Sequence, residues 1–202
     1  MADLCPIYPL STEPLPYLDA SIRSDQTEVL FAIVCDPISF IIQQGDRIVI
    51  DGKNGSGKSS LLKLLIGEPI EHSGTIKIGS GLVISYVPQD TSYLKGTLSE
   101  FAKENKINES LFKAVLRKLD FERIQFEKDM QDFSGGQKKK VVIAKSLCEQ
   151  AHLYVWDEPL NFIDIYSRVQ IEQLIKEFSP TMIFVEHDKA FRDALATMTI
   201  QL

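Results

Sequence analysis

Apolar positions recur along the chain in two rhythms, and the switch between them divides it into elements. Across residues 28–43, Val29, Phe31, Ile33, Ile38, Phe40 and Ile42 return at a period near two, which predicts two short strands broken at Asp36-Pro37. Asp46-Arg47-Ile48-Val49-Ile50 reads as a β-branched buried strand. It runs into a glycine-rich stretch, after which Leu61, Leu62, Leu64, Leu65 and Ile66 fit a helix closed by Gly67 and Pro69. Residues 74–78 and 82–87 flank Gly79-Ser80-Gly81 and read as a hairpin. Over residues 97–130 the pattern becomes charged amphipathic helix, with Leu111, Phe112, Val115, Leu116 and Leu119 at helical spacing. Helix resumes after Gly135-Gly136 and runs to about Gln150. Strand signals return at Leu153-Tyr154-Val155-Trp156 and Met182-Ile183-Phe184-Val185, on either side of a helix carried by Val169, Ile171, Leu174, Ile175 and Phe178. This order predicts an α/β core with an inserted helical subdomain at about 91–150. Residues 1–20 hold Pro6, Pro9, Pro14 and Pro16 and read as an extended tail, leaving 21–202 as one domain.

Composition narrows the class. At 202 residues the chain is long enough for a real core, and 44% apolar with 25% charged residues excludes disordered and collagen-like classes. The most apolar region, residues 29–42, is interrupted and falls short of the roughly 20 residues of a bilayer span, so no direct membrane insertion is expected. The first 22 residues contain no Lys or Arg, which argues against the basic start of a signal peptide. Cys5, Cys35 and Cys148 form neither a disulfide framework nor a zinc pattern and suit a reducing cytoplasm. A net charge of −6 argues mildly against a domain that coats nucleic acid on its own.

The chemistry begins at Gly52-Lys53-Asn54-Gly55-Ser56-Gly57-Lys58-Ser59, followed by Ser60, between a strand and a helix. It matches G-x-x-x-x-G-K-[ST], whose glycines let several N–H groups converge on one phosphate cluster beside the positive end of a helix. Lys58 can reach the β- and γ-phosphates of a nucleotide, and the Ser59 hydroxyl can ligate Mg²⁺. Leu153-Tyr154-Val155-Trp156-Asp157-Glu158 is a buried strand ending in two acids at the sheet's carboxyl edge, where ligands of open α/β sheets bind. There Asp157 would hold Mg²⁺, partly through water, and Glu158 would orient or deprotonate an attacking water. Phe133-Ser134-Gly135-Gly136-Gln137 opens a further helix and reads either as a second anion site or as a turn. His187 follows a strand and arrives at the same edge as Asp157 and Glu158. His72 and His152 read as structural or exposed. Lys138, Lys139 and Lys140 read either as a solvated face or as a field at the anion site or toward RNA.

Together these segments resemble the ATP-binding cassette ATPases. Residues 52–59 resemble their Walker A, residues 153–158 Walker B with the catalytic glutamate, and 133–137 the signature usually written LSGGQ, with Phe133 in place of Leu. Gln89, after Tyr86-Val87-Pro88, resembles the Q-loop glutamine and a further Mg²⁺ contact; residues 161–164 resemble the D-loop, and His187 the switch histidine. The resemblance spans residues 45–190. It implies a P-loop NTPase fold of the ABC nucleotide-binding type, ATP and Mg²⁺ as ligands, and catalytic roles for Glu158, His187 and Gln89. It also implies a head-to-tail pairing with a second cassette, homologous half or identical copy, in which residues 134–137 act on the partner's nucleotide. Adenine usually stacks on an aromatic near the position of Thr27, where none stands; Phe31 is the nearest candidate, for stacking or for the core.

The run from Asp157 to Asp164, and Val185-Glu186-His187-Asp188-Lys189-Ala190-Phe191, is similar to the ABC-F branch, whose members carry two cassettes and no membrane domain and in many cases act on ribosomes. It most resembles the second cassette of the group that protects ribosomes from lincosamides, streptogramin A and pleuromutilins. The first cassette and the long helical linker of that group are missing here. Two other expectations stand beside this one: the nucleotide-binding motor of a membrane transporter, and a non-catalytic half that binds nucleotide weakly.

Overall fold

The computed structural model of the chain describes residues 18–23 and 38–202. The proline-rich start, the strand expected before Asp36-Pro37, Phe31, Cys5 and Cys35 lie outside the described residues. The center is a five-stranded parallel sheet in the order β5–β6–β7–β3–β8, with β3 Arg47–Asp51, β5 Ile84–Val87, β6 Leu153–Asp157, β7 Met182–Val185 and β8 Met198–Gln201. A three-stranded antiparallel sheet, in the order β2–β1–β4, joins β1 Leu18–Arg23, β2 Ile38–Ile42 and β4 Ser73–Lys77.

Side-chain alternation explains why the parallel sheet is covered on both faces. On β3, β6 and β7, Ile48, Ile50, Leu153, Val155, Ile183 and Val185 point to one face, where they meet Leu61, Leu62 and Leu65 of α1 (Lys58–Leu65) and Phe40 and Ile42 of β2. Val49, Tyr154, Trp156, Met182 and Phe184 point to the other, against the remaining helices. Period two therefore splits each strand between two cores. The second face takes α2 Leu98–Glu104, α3 Glu109–Lys118, α4 Gly135–Cys148, α5 Ile165–Phe178 and α6 Lys189–Leu195. Among the described residues no helix is long and apolar enough to cross a membrane.

Three expectations change. Residues 74–78 and 82–87 do not form a hairpin: β4 pairs with β1, whereas β5 pairs in parallel with β6. The glycines at 79–81 serve as a link between two sheets. Residues 18–20, assigned above to the tail, open β1, which is ordered by partners on both sides. The helical run at 97–130 breaks into α2 and α3 and two short 3₁₀ turns, Arg123–Glu127 and Met130–Asp132. Lys106 and Asp120, in left-handed backbone conformations, mark the breaks. The end of α1 is as expected. Gly67 sits at φ +85°, its N–H bonds the Leu64 carbonyl, and the Glu68 N–H reaches back to Lys63.

Candidate active site

All five strands of the parallel sheet run the same way, so the loops after β3, β5, β6 and β7 emerge at one edge. Those loops carry residues 52–57, Gln89, Glu158 and His187.

After β3 the chain curls back on itself. The Lys58 ammonium is buried (7% exposed) and donates to the carbonyls of Gly52 (2.8 Å) and Lys53 (2.9 Å). Gly57 stands before α1 at φ +97°, and a Cβ on Gly52 would lie 2.6 Å from the Leu202 carbonyl oxygen and 2.7 Å from Ser56 Oγ. Lys53, Asn54 and Gly55 are exposed, and Ser59 and Ser60 lie on the first turn of α1. That turn carries no acidic residue, and no side chain caps it. Each of the other five α-helices among the described residues has a capping side chain: Thr97, Asn108, Ser134, Asp164 and Asp188. The N–H groups at the start of α1 are thus left for a ligand, and a phosphate is the group that fits them.

Asp157, at the end of β6, faces this loop. It is 2% exposed, and its Oδ1 has no hydrogen-bond partner. Burial raises its carboxyl above the usual range, opposed by a hydrogen bond from the Ser59 side chain. A buried carboxylate oxygen without a partner, next to a serine hydroxyl, is a hard-oxygen pair suited to Mg²⁺ completed by phosphate and water. Ser59 and Asp157 therefore fit the ion. Gln89 makes a different contact: its side-chain amide donates to Glu158 Oε2 (2.8 Å).

Glu158 is the meeting point of the edge. Its backbone is left-handed (φ +46°), a strained setting for a non-glycine residue. The Asn161 side-chain amide donates to Oε2 (2.5 Å), and His187 Nε2 lies 3.3 Å from Oε1. Beneath it, Glu186 is buried, accepting from the N–H groups of His187 (2.7 Å) and Asp188 (3.1 Å) and from that of Leu160 (3.0 Å). Arg168 braces the same turn through the Ile163 carbonyl (3.0 Å) and Asp188 (2.9 Å). Asn161 lies in the run that resembles the D-loop and Glu186 stands beside His187, but nothing in the sequence assigns them or Arg168 to these particular bonds; the fold does.

The second glycine loop is arranged differently. Ser134 Oγ accepts from Gln137 N–H (3.2 Å), and Gln137 Oε1 accepts from Ser134 N–H (2.9 Å), a reciprocal cap on α4. A Cβ on Gly136 would sit 2.4 Å from the Phe162 carbonyl oxygen, so glycine is required there by the neighboring turn. At Gly135 a Cβ would make only ordinary contact, 3.5 Å from the Phe162 ring. Among the described residues no hydrogen bond or ion pair joins residues 134–137 to residues 52–60. Two of the three lysines that follow are buried rather than part of a solvated face. Lys139 is 2% exposed and donates to backbone carbonyls, and Lys140 pairs with Asp164 (2.7 Å). His152 accepts from Val83 N–H (3.0 Å), and His72 bonds the Ile70 carbonyl (2.8 Å).

The chain resembles solved structures and curated proteins over most of its length. It is 32% identical over 178 residues to the ATP-binding protein Uup of Caulobacter vibrioides, covering 84% of this chain and 29% of that protein. It is 31% identical to the ribosome protection protein VmlR of Bacillus subtilis (76% and 28% covered) and 30% identical to the ABC transporter F family member 2 of Arabidopsis thaliana (80% and 25%). The chain spans about a third or less of the length of these relatives. An RNase-L inhibitor structure matches with a TM-score of 0.71 at 24% identity over 94% of this chain and 37% of its own. That likeness establishes the fold. Residues 35–161 match the ABC transporter family, and the chain belongs to that family of ATP-binding ATPases.

Proposed function

We propose that the chain is one cassette of an ABC-F type protein, closing with a second cassette around MgATP and reopening on hydrolysis, in a protein that acts on ribosomes. The observation that carries the nucleotide reading is the uncapped start of α1, facing an unpartnered buried oxygen of Asp157. Gly52, Lys53, Asn54, Gly55, Ser56, Gly57, Lys58, Ser59 and Ser60 would cradle the phosphates. Mg²⁺ bound by Ser59 and Asp157, with Gln89 close by, would neutralize charge on the β- and γ-phosphates. Glu158 would take the proton of the attacking water as its oxygen bonds the γ-phosphorus and ADP leaves; His187, beside Glu158, would contact the γ-phosphate. Residues 134–137, away from their own chain's loop, would complete the partner's site.

The ribosomal reading is supported by similarity to the ribosome protection protein VmlR. The test of pairing is ATP turnover per chain against concentration, then with Ser134→Arg chains mixed with Lys58→Ala chains. Each variant keeps the half the other lacks, so the mixture should recover one working site; a high rate per chain that is independent of dilution would refute the pairing. For the wider role, the full protein in which this cassette resides should co-sediment with ribosomes in an ATP-dependent way. Co-purification with membrane subunits and indifference to ribosomes would favor the transporter motor.

A further inference from the structure

Lys139 is a buried ammonium with no carboxylate at ion-pair distance among the described residues. Its Nζ donates to the carbonyls of Pro88 (2.8 Å) and Gln89 (3.1 Å) and lies 3.5 Å from that of Asp157. Taking such a charge out of water is costly unless its donors are filled, and here backbone carbonyls alone fill them. Those carbonyls belong to two segments of the sheet edge. One is the turn after β5 that presents the Gln89 amide 2.8 Å from Glu158 Oε2; the other is the end of β6. Lys139 itself rides on α4, two residues beyond Gln137. One side chain therefore ties the helix opened by residues 134–137 to the backbone of Gln89.

We propose that Lys139 is a positioning residue for Gln89: it fixes the 88–89 backbone so that the Gln89 amide stays on Glu158, and the position of α4 is thereby felt at the chain's own hydrolytic group. The assignment rests on the ATPase reading of Glu158, and its readouts are chosen to be separable from that reading. Lys58 and the phosphate loop take no part in these bonds, so nucleotide affinity and turnover should part company.

The test is Lys139→Met, which removes the charge at nearly the same length. MgATP affinity should stay within about twofold of the parent, while turnover at saturating ATP falls about 10- to 100-fold, the scale of a misplaced reacting group. The side-chain amide resonance of Gln89, identified by its loss in Gln89→Ala, should move toward the position of a free glutamine amide. In the Gln89→Ala background, Lys139→Met should cost no further turnover. An unmoved Gln89 resonance, or a double variant slowed by the full product of the two single effects, overturns the proposal. If Lys139→Met does not fold, Lys139→Gln, a neutral donor of shorter reach, enters the same cycle with the same two criteria. A parent chain that neither binds nor turns over MgATP would instead be the failure of the ATPase reading, and the Gln89 resonance would still report on Lys139.

Discussion

Two glycine-containing loops open helices α1 and α4, and the chain treats them in opposite ways. At α1 the cap position is a glycine, no side chain reaches the first turn, and Lys58 turns back onto carbonyls of its own loop. At α4 the Ser134 and Gln137 side chains satisfy the helix start reciprocally. The first loop leaves the N–H groups of its helix start without a capping side chain. The second is already satisfied, and presents a serine hydroxyl and an uncrowded Gly135 outward. A loop that must hold phosphate through a reaction cycle is built around the gap the phosphate fills. One that meets nucleotide only when a partner arrives must stand alone between encounters. On the proposed function, the contrast fits a loop that holds phosphate at α1 and one that meets a partner's nucleotide at α4.

The largest effect should come from separating the holding of nucleotide at α1 from its cleavage. Glu158→Gln keeps shape and both amide contacts within reach but cannot accept a proton. Turnover should fall about 10²–10⁴-fold with MgATP affinity retained, measured by phosphate release and calorimetry on the same sample. Parental turnover in this variant would remove Glu158 from the role of general base. Lys58→Ala should act the other way around, since it removes charge-assisted bonds of about 1.5–3 kcal/mol from the bound phosphates. Calorimetry should show ATP binding weakened about 10- to 100-fold with the fold intact, read from the fluorescence of the buried Trp156. Unchanged affinity would mean that the phosphates do not sit in this loop.

At α4 the same logic distinguishes neighboring glycines. A methyl group at Gly136 meets the Phe162 carbonyl, backbone that cannot simply rotate away. Gly136→Ala should therefore destabilize the chain by about 1–3 kcal/mol in a denaturant melt. Gly135→Ala should leave stability the same or slightly higher, because alanine favors helix by up to about 1 kcal/mol over glycine. Any loss of turnover it causes should appear only when two cassettes are paired. Equal destabilization by both would erase the distinction drawn between them.

How much of this could be read from the sequence depended on the distance between interacting residues. The strand, loop and helix from Arg47 to Leu65 are contiguous, and their pattern states the fold directly. The two faces of β6 and β7 are likewise visible as unbroken apolar runs, the mark of strands buried on both sides. The pairing of β4 with β1 was not legible, because a glycine turn between two short strands looks the same whether they pair or part. Lys139 was hidden for a related reason. A run of three lysines is ordinarily solvated, and its burial depends on carbonyls at Pro88 and Gln89 that the chain supplies some fifty positions earlier. Glu186 shows the same blindness: next to His187 it looks like part of a motif, yet its bond to Leu160 N–H is a product of strand order.

The smallest effect concerns what holds α4 to its neighbor. Asp164 caps α5 through Ser167 N–H (2.8 Å) and pairs with Lys140 of α4 at 2.7 Å. Burial alone would raise its carboxyl, but the bonds from Lys140 and Ser167 outweigh burial and hold it down at about 2, against an ordinary 3.8. Because the folded value is the lower one, the unfolded chain binds more protons as pH falls, and stability rises with pH through this window. The contribution is fully present above about 4 and is lost as pH falls through about 2. The Asp164 side chain is 47% exposed, so solvent screens the pair and the loss should be about 1 kcal/mol or less. In thermal melts between those two pH values, Asp164→Asn should show a shallower acid slope than the parent, and its amide exchange should rise near the start of α4 and α5 while α1 is unaffected. Superimposable slopes would mean that the Lys140–Asp164 pair adds nothing to the anchoring of α4, which would then rest on the reciprocal cap and on the Lys139 bonds to the Pro88 and Gln89 carbonyls.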